Sequence, residues 1–239
     1  MDYGLIVDVE TTGINADEDA IIEIGVVEFV LREGKSSPEL LNMYGALEDP
    51  GRPITEEIQK LTGLDNGLLK GQKIAWEYIR SLLERSSLVV AHNAAFDRSF
   101  IEKRPELAGL DLHWACSMKH IDWRGKGYKT RALNYLAADH GFVNAFAHRA
   151  LFDCATTFRL IAPYFQELVQ RSYLRELRVL AVQAPFEMKD KLKQQDYRWD
   201  AEKRVWFKDV FEDTLDAERS FLSSEIYTQG PDRHQELPL

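Results

Sequence analysis

Two acidic residues stand two positions apart near the start of the chain, in the stretch LIVDVETTG (residues 5–13). The Leu, Ile and Val residues there predict a buried strand that ends at the Thr-Thr-Gly sequence. Because side chains alternate along a strand, Asp8 and Glu10 are predicted to project from the same face. Paired carboxylates repel each other unless a cation lies between them, and such oxygen ligands are those that Mg²⁺ or Mn²⁺ prefers. Alternatively, one acid pairs with a distant arginine and the other lies at the solvated strand end; these residues leave both interpretations open.

Two further acids and a histidine occupy positions where chemistry is often placed. Asp97 follows VVAHNAAF, a predicted buried strand that leads into a loop and a helix start. Asp153 lies in the apolar helical stretch ALFDCATTF, where an acid either points toward a site or forms a salt bridge. His148 is five residues earlier, which is about 140° around a regular helix, so we expect it on the loop that enters the helix. A lone histidine is more often a surface or core residue than a catalytic one.

The elements around these residues predict an α/β domain with a mixed sheet. A second strand with alternating burial is expected from Ile22 to Leu31, and a third in LNMYGALEDP. Thr55 is a predicted N-cap of a short helix, and Gly141 is the predicted end of the helix in TRALNYLAADHGF. The last helix of the domain, in HRALFDCATTFRLIAPYFQELVQRS, is expected to bend at Pro163.

Composition restricts the class of protein. The chain has 239 residues, 45% of them apolar and 29% charged, and no apolar run long enough to span a membrane. The first ten residues carry acids within the apolar run, unlike a signal peptide. Two cysteines make neither a disulfide framework nor a zinc cluster, so a cytoplasmic location is expected. The net charge of −9 argues against a broad basic surface for duplex nucleic acid, but it is compatible with a nucleic-acid substrate bound through metals and a local groove.

Three stretches together resemble a known family. VDVETTG, AHNAAFDRSFI and HRALFDCATT, in this order, are similar to the three motifs of the DEDDh exonucleases, the family of the proofreading epsilon subunit of bacterial DNA polymerase III. IIEIGVVEF and LNYLAADHGF resemble supporting stretches of that family. The resemblance covers residue 4 to about residue 165. It implies an RNase H-like fold and a 3′→5′ exonuclease that requires two divalent cations, Mg²⁺ or Mn²⁺.

The resemblance also implies a role for each of the five residues. Asp8, Glu10, Asp97 and Asp153 correspond to the metal ligands, and His148 corresponds to the general base. The chemistry suits these residue types, because two cations held by carboxylates can activate water and neutralise the charge that develops on a phosphodiester. A neutral histidine can take the proton from the attacking water.

A second group of positions is implied to bind the 3′-terminal nucleotide of the substrate. This group comprises Thr11, Thr12, Gly13, Ile14, Asn93 and Phe96. Ile14 would be a hydrophobic wedge against the last base, although ordinary packing is an equal alternative. Asn93 also suits a turn-stabilising role, because asparagine is favoured in such backbone conformations.

The last third of the chain departs from the family pattern. We expect an exonuclease domain over residues 1–170 and a small α+β module with a tail over residues 171–239. The module is predicted as a strand, a helix in EMKDKLKQQ and a hairpin in YRWDAEKRVWFKDV. Its tryptophans are expected to form a small core, with some lysines lining a substrate groove. Residues 212–239 are expected to be frayed or loosely packed.

Three functions are compatible with this sequence. The first is a metal-dependent exonuclease that degrades single-stranded or frayed DNA from the 3′ end, and the second is the same chemistry on RNA or short oligonucleotides. The third is a polymerase-associated binding protein on an exonuclease scaffold, which the intact acids argue against. A polymerase partner remains open, although the chain has no Gln-x-x-Leu-Phe-like segment of the kind that docks sliding clamps. No membrane partner is expected.

Overall fold

A five-stranded mixed sheet lies at the centre of the first of two structural units. The computed structural model describes residues 2–228 and 230–239; its first unit ends at Ser172 and its second runs from Tyr173 to Leu239. The strands of the first unit are β1 (Asp2–Thr11), β2 (Ile21–Leu31), β3 (Glu39–Leu47), β4 (Leu88–Ala91) and β5 (Trp114–Cys116). They are ordered β3-β2-β1-β4-β5 across the sheet. Strands β1, β2 and β3 are antiparallel neighbours, whereas β4 is parallel to β1 and β5 to β4. The predicted α/β fold with a mixed sheet is confirmed.

Helices pack against both faces of this sheet. They are α1 (Glu56–Thr62), α2 (Asn66–Leu69), α3 (Trp76–Glu84), α4 (Ala94–Ile101), α5 (Leu133–Asp139), α6 (Ala150–Ile161) and α7 (Phe165–Ser172). Helices α3 and α4 contribute to the apolar cluster on one face, and α5, α6 and α7 to the cluster on the other face. Thr55 caps α1 as predicted, because its side chain accepts a hydrogen bond from the Ile58 N–H at 3.3 Å.

Strand β2 is buried along nearly its whole length, so the prediction of alternating burial from Ile22 to Leu31 is wrong. Side chains still alternate between the faces: Ile24 and Val26 belong to one apolar cluster, and Val27 and Phe29 to the other. Because helices cover both faces, neither set of side chains meets water. A strand in the middle of a covered sheet therefore lacks the polar face that an exposed strand would have.

The final helix of the first unit is interrupted at the predicted proline. Helix α6 ends at Ile161, a 3₁₀ turn follows at Ala162–Tyr164, and α7 continues from Phe165. Proline lacks the N–H that an α-helix interior requires, so the α-helical hydrogen bonding is interrupted at Pro163, where a bend was expected.

Among the helices of residues 2–228 and 230–239, none is long and apolar enough to cross a membrane.

The second unit is a small α+β module. Its strands and helices are β6 (Glu176–Ala181), α8 (Lys189–Gln194), β7 (Arg198–Asp200), β8 (Val205–Phe211), α9 (Leu215–Phe221) and β9 (His234–Pro238). The strands form an antiparallel sheet in the order β7-β8-β6-β9. The predicted strand, helix and hairpin are all present.

The prediction that residues 212–239 are frayed or loosely packed is wrong for the part of this segment that the structure describes. Helix α9 continues into a π-helix at Leu222–Ile226, and β9 pairs along β6. Leu222 and Ile226 are almost completely buried in the core of the second unit. Because polar residues separate these two apolar residues, the composition of the segment did not indicate that they would be buried in a core.

The hairpin of the second unit only partly matches its predicted roles. Trp206 packs against the core, whereas Trp199 is 49% exposed and contacts Trp206 with ring centroids 5.4 Å apart. Lys191 and Lys208 form ion pairs with acids of the same unit, at 2.7 and 2.5 Å. Their charge is thus already compensated, which weakens the expectation that lysines here line a substrate groove.

Candidate active site

Asp8 and Glu10 lie near the end of β1, and both are half-buried. Between them, the Val9 N–H donates a hydrogen bond to Asp97 Oδ1 at 3.0 Å. Asp97 lies in the first turn of α4 and is 2% exposed. The chain reaches it through β4, which is parallel to β1, so the ends of the two strands bring the three acids to one edge of the sheet.

Asp153 joins this group from α6, through the loop that precedes the helix. Its Oδ1 accepts a hydrogen bond from the Asn144 side-chain amide, and its Oδ2 accepts one from the His148 N–H at 3.1 Å. His148 lies before the first residue of α6, as predicted, and is exposed with φ +61°. A left-handed backbone is uncommon for residues other than glycine, although histidine adopts it more readily than most, and the bond from the His148 N–H to Asp153 supports this conformation.

The side chains of Glu10, His148 and Asp153 converge. Each offers one ligand atom, and these atoms all lie within 4.8 Å of one another. Asp97 is close enough for its charge to raise the pKa of both Asp8 and Glu10, and the charges of Asp153 and Glu10 also raise the pKa of Asp8. The structure thus gathers all five predicted catalytic residues from three separate stretches of the chain.

The acids of this cluster share an unusual electrostatic environment. Burial, followed by the charges of Asp97, Asp153 and Glu10, holds the pKa of Asp8 well above its ordinary value. Burial and the charge of Asp153 raise the pKa of Glu10 to about 8. Burial raises the pKa of Asp97 to about 7, although the bond from Val9 opposes this shift. Burial also raises the pKa of Asp153, against the hydrogen bonds from Asn144 and His148.

The donor set fits divalent cations. Within residues 2–228 and 230–239, none of the four acids forms an ion pair with a lysine or arginine. Burial first, and the charges of neighbouring carboxylates second, raise the pKa values of these acids, and no lysine or arginine of the described residues forms an ion pair with them. Oxygen ligands in such an arrangement are the preferred environment of Mg²⁺ and Mn²⁺, and bound cations would remove the repulsion.

A fifth acid, Glu23, lies beside the cluster, although the sequence did not identify it as a candidate site residue. It is 4% exposed and accepts hydrogen bonds at 3.1 to 3.2 Å from the Arg149 guanidinium and at 3.3 Å from the Ala150 N–H. Glu23 therefore caps the first turn of α6 from β2. The available signal was its place in the otherwise apolar run IIEIGVV, where a buried acid requires a partner.

Gly25 explains how α6 comes close enough to deliver Asp153. A Cβ on Gly25 would lie 2.3 Å from the backbone carbon of Ala150, so any larger residue would displace the helix. Cys154 donates from its Sγ to the Gly25 carbonyl at 3.2 Å and is completely buried. The close contact between β2 and α6 thus depends on a residue without a side chain.

The residues predicted to contact the 3′-terminal nucleotide differ in their exposure and in whether their polar groups are already hydrogen-bonded. The Thr12 hydroxyl bonds to Asp19, Ala20 and Arg52, and Thr11 is buried with its hydroxyl donating to the Gly13 carbonyl. Both hydroxyls are therefore engaged within the turn. Ile14, by contrast, is 89% exposed at the tip of the same turn. Gly13 packs closely on Asp19, since a Cβ there would lie 2.4 Å from its carboxylate.

The second motif presents Asn93 to solvent and buries half of Phe96. Asn93 is the N-cap residue of α4, but its side chain forms no capping hydrogen bond with the helix. The turn-stabilising alternative for Asn93 therefore has no support from a cap. The Phe96 ring lies 5.1 Å from that of Phe100. Neighbouring His92 bonds through both ring nitrogens, to Ser117 at 2.8 Å and to the Arg131 carbonyl at 2.7 Å, and burial lowers its pKa to about 4.

Solved structures share this architecture. Escherichia coli Exonuclease I in complex with a dT13 oligonucleotide matches 74% of this chain and 48% of its own, with 13% identity and a TM-score of 0.60. Exonuclease X in complex with 5′ overhanging duplex DNA matches 68% of this chain and 91% of its own, with 24% identity and a TM-score of 0.50. Together with the mixed sheet and the acid cluster, these likenesses define an RNase H-like exonuclease fold.

Sequence comparisons identify the family. The family model described as Exonuclease (RNase_T) matches residues 5–161, and the chain belongs to this exonuclease family. It is 31% identical over 157 residues to DNA polymerase III PolC-type of Listeria innocua, covering 64% of this chain and 10% of that protein. It is 29% identical over 192 residues to 3′-5′ exonuclease DinG of Staphylococcus saprophyticus, covering 77% of this chain and 21% of that protein. The chain thus spans only a tenth to a fifth of these relatives' length.

Proposed function

We propose that this protein is a 3′→5′ exonuclease that uses two divalent cations, Mg²⁺ or Mn²⁺, and releases nucleoside 5′-monophosphates. The observation that supports this most strongly is the convergence of four acids that pair with no lysine or arginine of the described residues. Asp8, Glu10, Asp97 and Asp153 would hold the cations. When bound, the cations would activate water and neutralise charge on the scissile phosphate. Residues 1–170 would form the catalytic domain.

His148 would act as the general base. Its side chain is exposed, and a ring nitrogen lies within 4.8 Å of carboxylate oxygens of Glu10 and Asp153, so it can approach a water held near those acids. The bond from its own N–H to Asp153 positions the backbone and does not involve a ring nitrogen. A positioned base of this kind typically contributes about 10²–10⁴ in rate.

Single-stranded or frayed DNA is the substrate that we propose. Two relatives of the fold were solved with DNA, one with a dT13 oligonucleotide and the other with a 5′ overhanging duplex. The acidic net charge argues against extensive binding along a duplex. RNA is the second candidate, because another structural neighbour is a 3′-exonuclease that recognises a histone mRNA stem-loop.

A polymerase partner and a cytoplasmic location complete the proposal. Several relatives are PolC-type polymerases, which supports an association with DNA synthesis, although the sequence contains no Gln-x-x-Leu-Phe-like segment. Cys116 and Cys154 are both buried free thiols, as is usual in a reducing compartment.

The decisive experiment uses 5′-end-labelled single-stranded DNA, duplex DNA and RNA, each with Mg²⁺, Mn²⁺ or EDTA. We expect a ladder that shortens from the 3′ end of single-stranded DNA with either cation and no products in EDTA. An Asp8→Asn variant purified in parallel controls for contaminating nucleases. Products that persist in EDTA, or no shortening of any strand, would refute the proposed function, and a ladder on RNA alone would support the second candidate.

A further inference from the structure

Two exposed phenylalanines lie beside the candidate catalytic residues. Phe146 is two residues before His148, and Phe152 directly precedes Asp153. Their side chains are 56% and 42% exposed, and their ring centroids are 4.6 Å apart at an interplanar angle of 46°. The pair therefore presents an apolar aromatic surface to solvent next to the acid cluster.

Asn144 fixes this aromatic surface relative to the acids. Its side-chain amide donates to Asp153 Oδ1, and its Oδ1 accepts a hydrogen bond from the Phe146 N–H at 3.2 Å. The His148 N–H bonds to the other oxygen of Asp153. Phe146 thus lies between two residues that are tied to the same carboxylate, so its position follows that of the site.

We propose that Phe146 and Phe152 form a stacking surface for an unpaired base near the 3′ end of a DNA strand, an inference that rests on the proposed function. The proposed cations would contact only the scissile phosphate, and the chain as a whole carries a net charge of −9, which does not favour contacts with the other phosphates of the strand. Binding of the strand therefore needs a contact that does not depend on phosphate charge. Stacking on an aromatic ring meets this need and accepts every base, because each base has a π-face.

This surface would also make the enzyme select unpaired ends. A base inside a duplex is already stacked and paired, so it must be released, at a cost in free energy, before it can contact Phe146 or Phe152. An unpaired base needs no such release. Selection for single strands would then come from the phenylalanine pair.

The competing explanation is that the two rings only stabilise the loop that carries His148. In that case any apolar side chain of similar size would serve at position 146, and loss of the ring would slow cleavage of all substrates equally. These expectations differ from those of a base contact, which requires both an aromatic ring in the protein and a base in the substrate.

The test compares Phe146→Ala, Phe146→Leu and Phe146→Trp with the wild type on two 5′-labelled oligonucleotides. One has a natural 3′ end, and the other carries abasic residues at its last two positions. We expect Phe146→Ala to lose roughly 5- to 100-fold in kcat/KM on the natural end, the usual worth of one stacked base, and less than about twofold on the abasic end. Phe146→Trp should stay near the wild type, whereas Phe146→Leu should resemble Phe146→Ala.

Tyr135→Ala is the matched control, because Tyr135 is an exposed aromatic residue of the same unit, 68% exposed, on α5. Its kcat/KM should not change. The Mn²⁺-dependent rise in Tm should persist in Phe146→Ala, which would show that the acids still bind the metal. Equal losses on both ends, full activity of Phe146→Leu, or an unaffected Phe146→Ala would overturn the inference. A wild type that shortens neither oligonucleotide would instead refute the proposed function.

Discussion

Glu10 and Glu23 lie directly opposite each other across β1 and β2. Directly opposed like charges destabilise a sheet, and here the Arg149 guanidinium compensates by bonding to both oxygens of Glu23. The same arginine opposes the rise in the pKa of Glu10. Arg149, the N-cap residue of α6, thus limits the repulsion between glutamates on two neighbouring strands.

The first prediction concerns stability and pH without metal. The pKa of Glu10 is about 8 and that of Asp97 about 7 in the folded protein, against about 4 for both in an unfolded chain. Between these values the folded state binds more protons than the unfolded state, so the free energy of unfolding should fall as pH rises from about 4 to about 8. Thermal melts in EDTA should show this fall, and Glu10→Gln should flatten it. A Tm that rises over the same range would contradict these pKa directions.

The second prediction concerns the ion pair of Arg149. Arg149→Met should leave Glu23 buried without its cation and lower the free energy of unfolding by about 1–3 kcal/mol. The double variant Glu23→Gln/Arg149→Met removes both charges and should recover part of that loss. Urea unfolding of the wild type, both single variants and the double variant measures the coupling. Strictly additive effects would show that the two side chains act independently.

The third prediction separates two of the acids. Asp8→Ala should abolish cleavage and raise the metal-free Tm, because it relieves repulsion within the cluster. Asp97→Ala should also abolish cleavage but should cost about 1–3 kcal/mol, since the Val9 N–H loses its acceptor. Asp97→Asn keeps an acceptor oxygen and should recover stability without activity. Added Mn²⁺ should raise the Tm of the wild type more than that of these variants. An Asp8→Ala protein with normal cleavage would remove this residue from the site.

The fourth prediction distinguishes a base from a ligand. His148→Ala should lower turnover by about 10²–10⁴ at saturating Mn²⁺ and retain the Mn²⁺-dependent rise in Tm. Added imidazole should restore part of the rate, because the side chain that it replaces is exposed. Asp153→Asn should lose both activity and the Mn²⁺ response. If His148→Ala loses the Mn²⁺ response as well, His148 is a metal ligand rather than the base.

The fifth prediction uses two glycines that face each other on neighbouring strands, Gly25 and Gly45. A Cβ on Gly25 would meet the Ala150 backbone at 2.3 Å, whereas one on Gly45 would meet the Leu151 side chain at 3.3 Å. Gly25→Ala should therefore displace α6, lower stability by about 1–3 kcal/mol and reduce cleavage more strongly than Gly45→Ala. Cleavage rates and melting temperatures of both variants provide the measurement. Equal behaviour of the two variants would show that α6 can shift without harm to the site.

Local signals predicted much of the first unit. The apolar run before Asp8, the cap at Thr55 and the proline at position 163 each act within a few residues, so their effects are visible in the sequence. The position of His148 before α6 followed from helix geometry alone. Each of these features is decided by backbone preference or side-chain spacing rather than by distant contacts.

Features that depend on distant contacts could not be predicted. The role of Glu23 requires Arg149, which is more than a hundred residues away, and the packing of Gly25 requires Ala150. Strand β9 exists because β6 offers it a partner, and β5 is only three residues long. A single sequence contains no record of which segments meet, so these features emerged only from the structure.

The contact between β2 and α6 at Gly25 has a consequence for protein synthesis. Asp8, Glu10 and Asp97 leave the ribosome well before His148 and Asp153, since chains emerge from the N-terminus. The proposed active site cannot close until α6 has been made and has docked on the sheet. On the proposed function, a chain that ends before residue 148 lacks both His148 and Asp153 and would not degrade the nucleic acids around it, so activity would begin only after translation has passed Asp153.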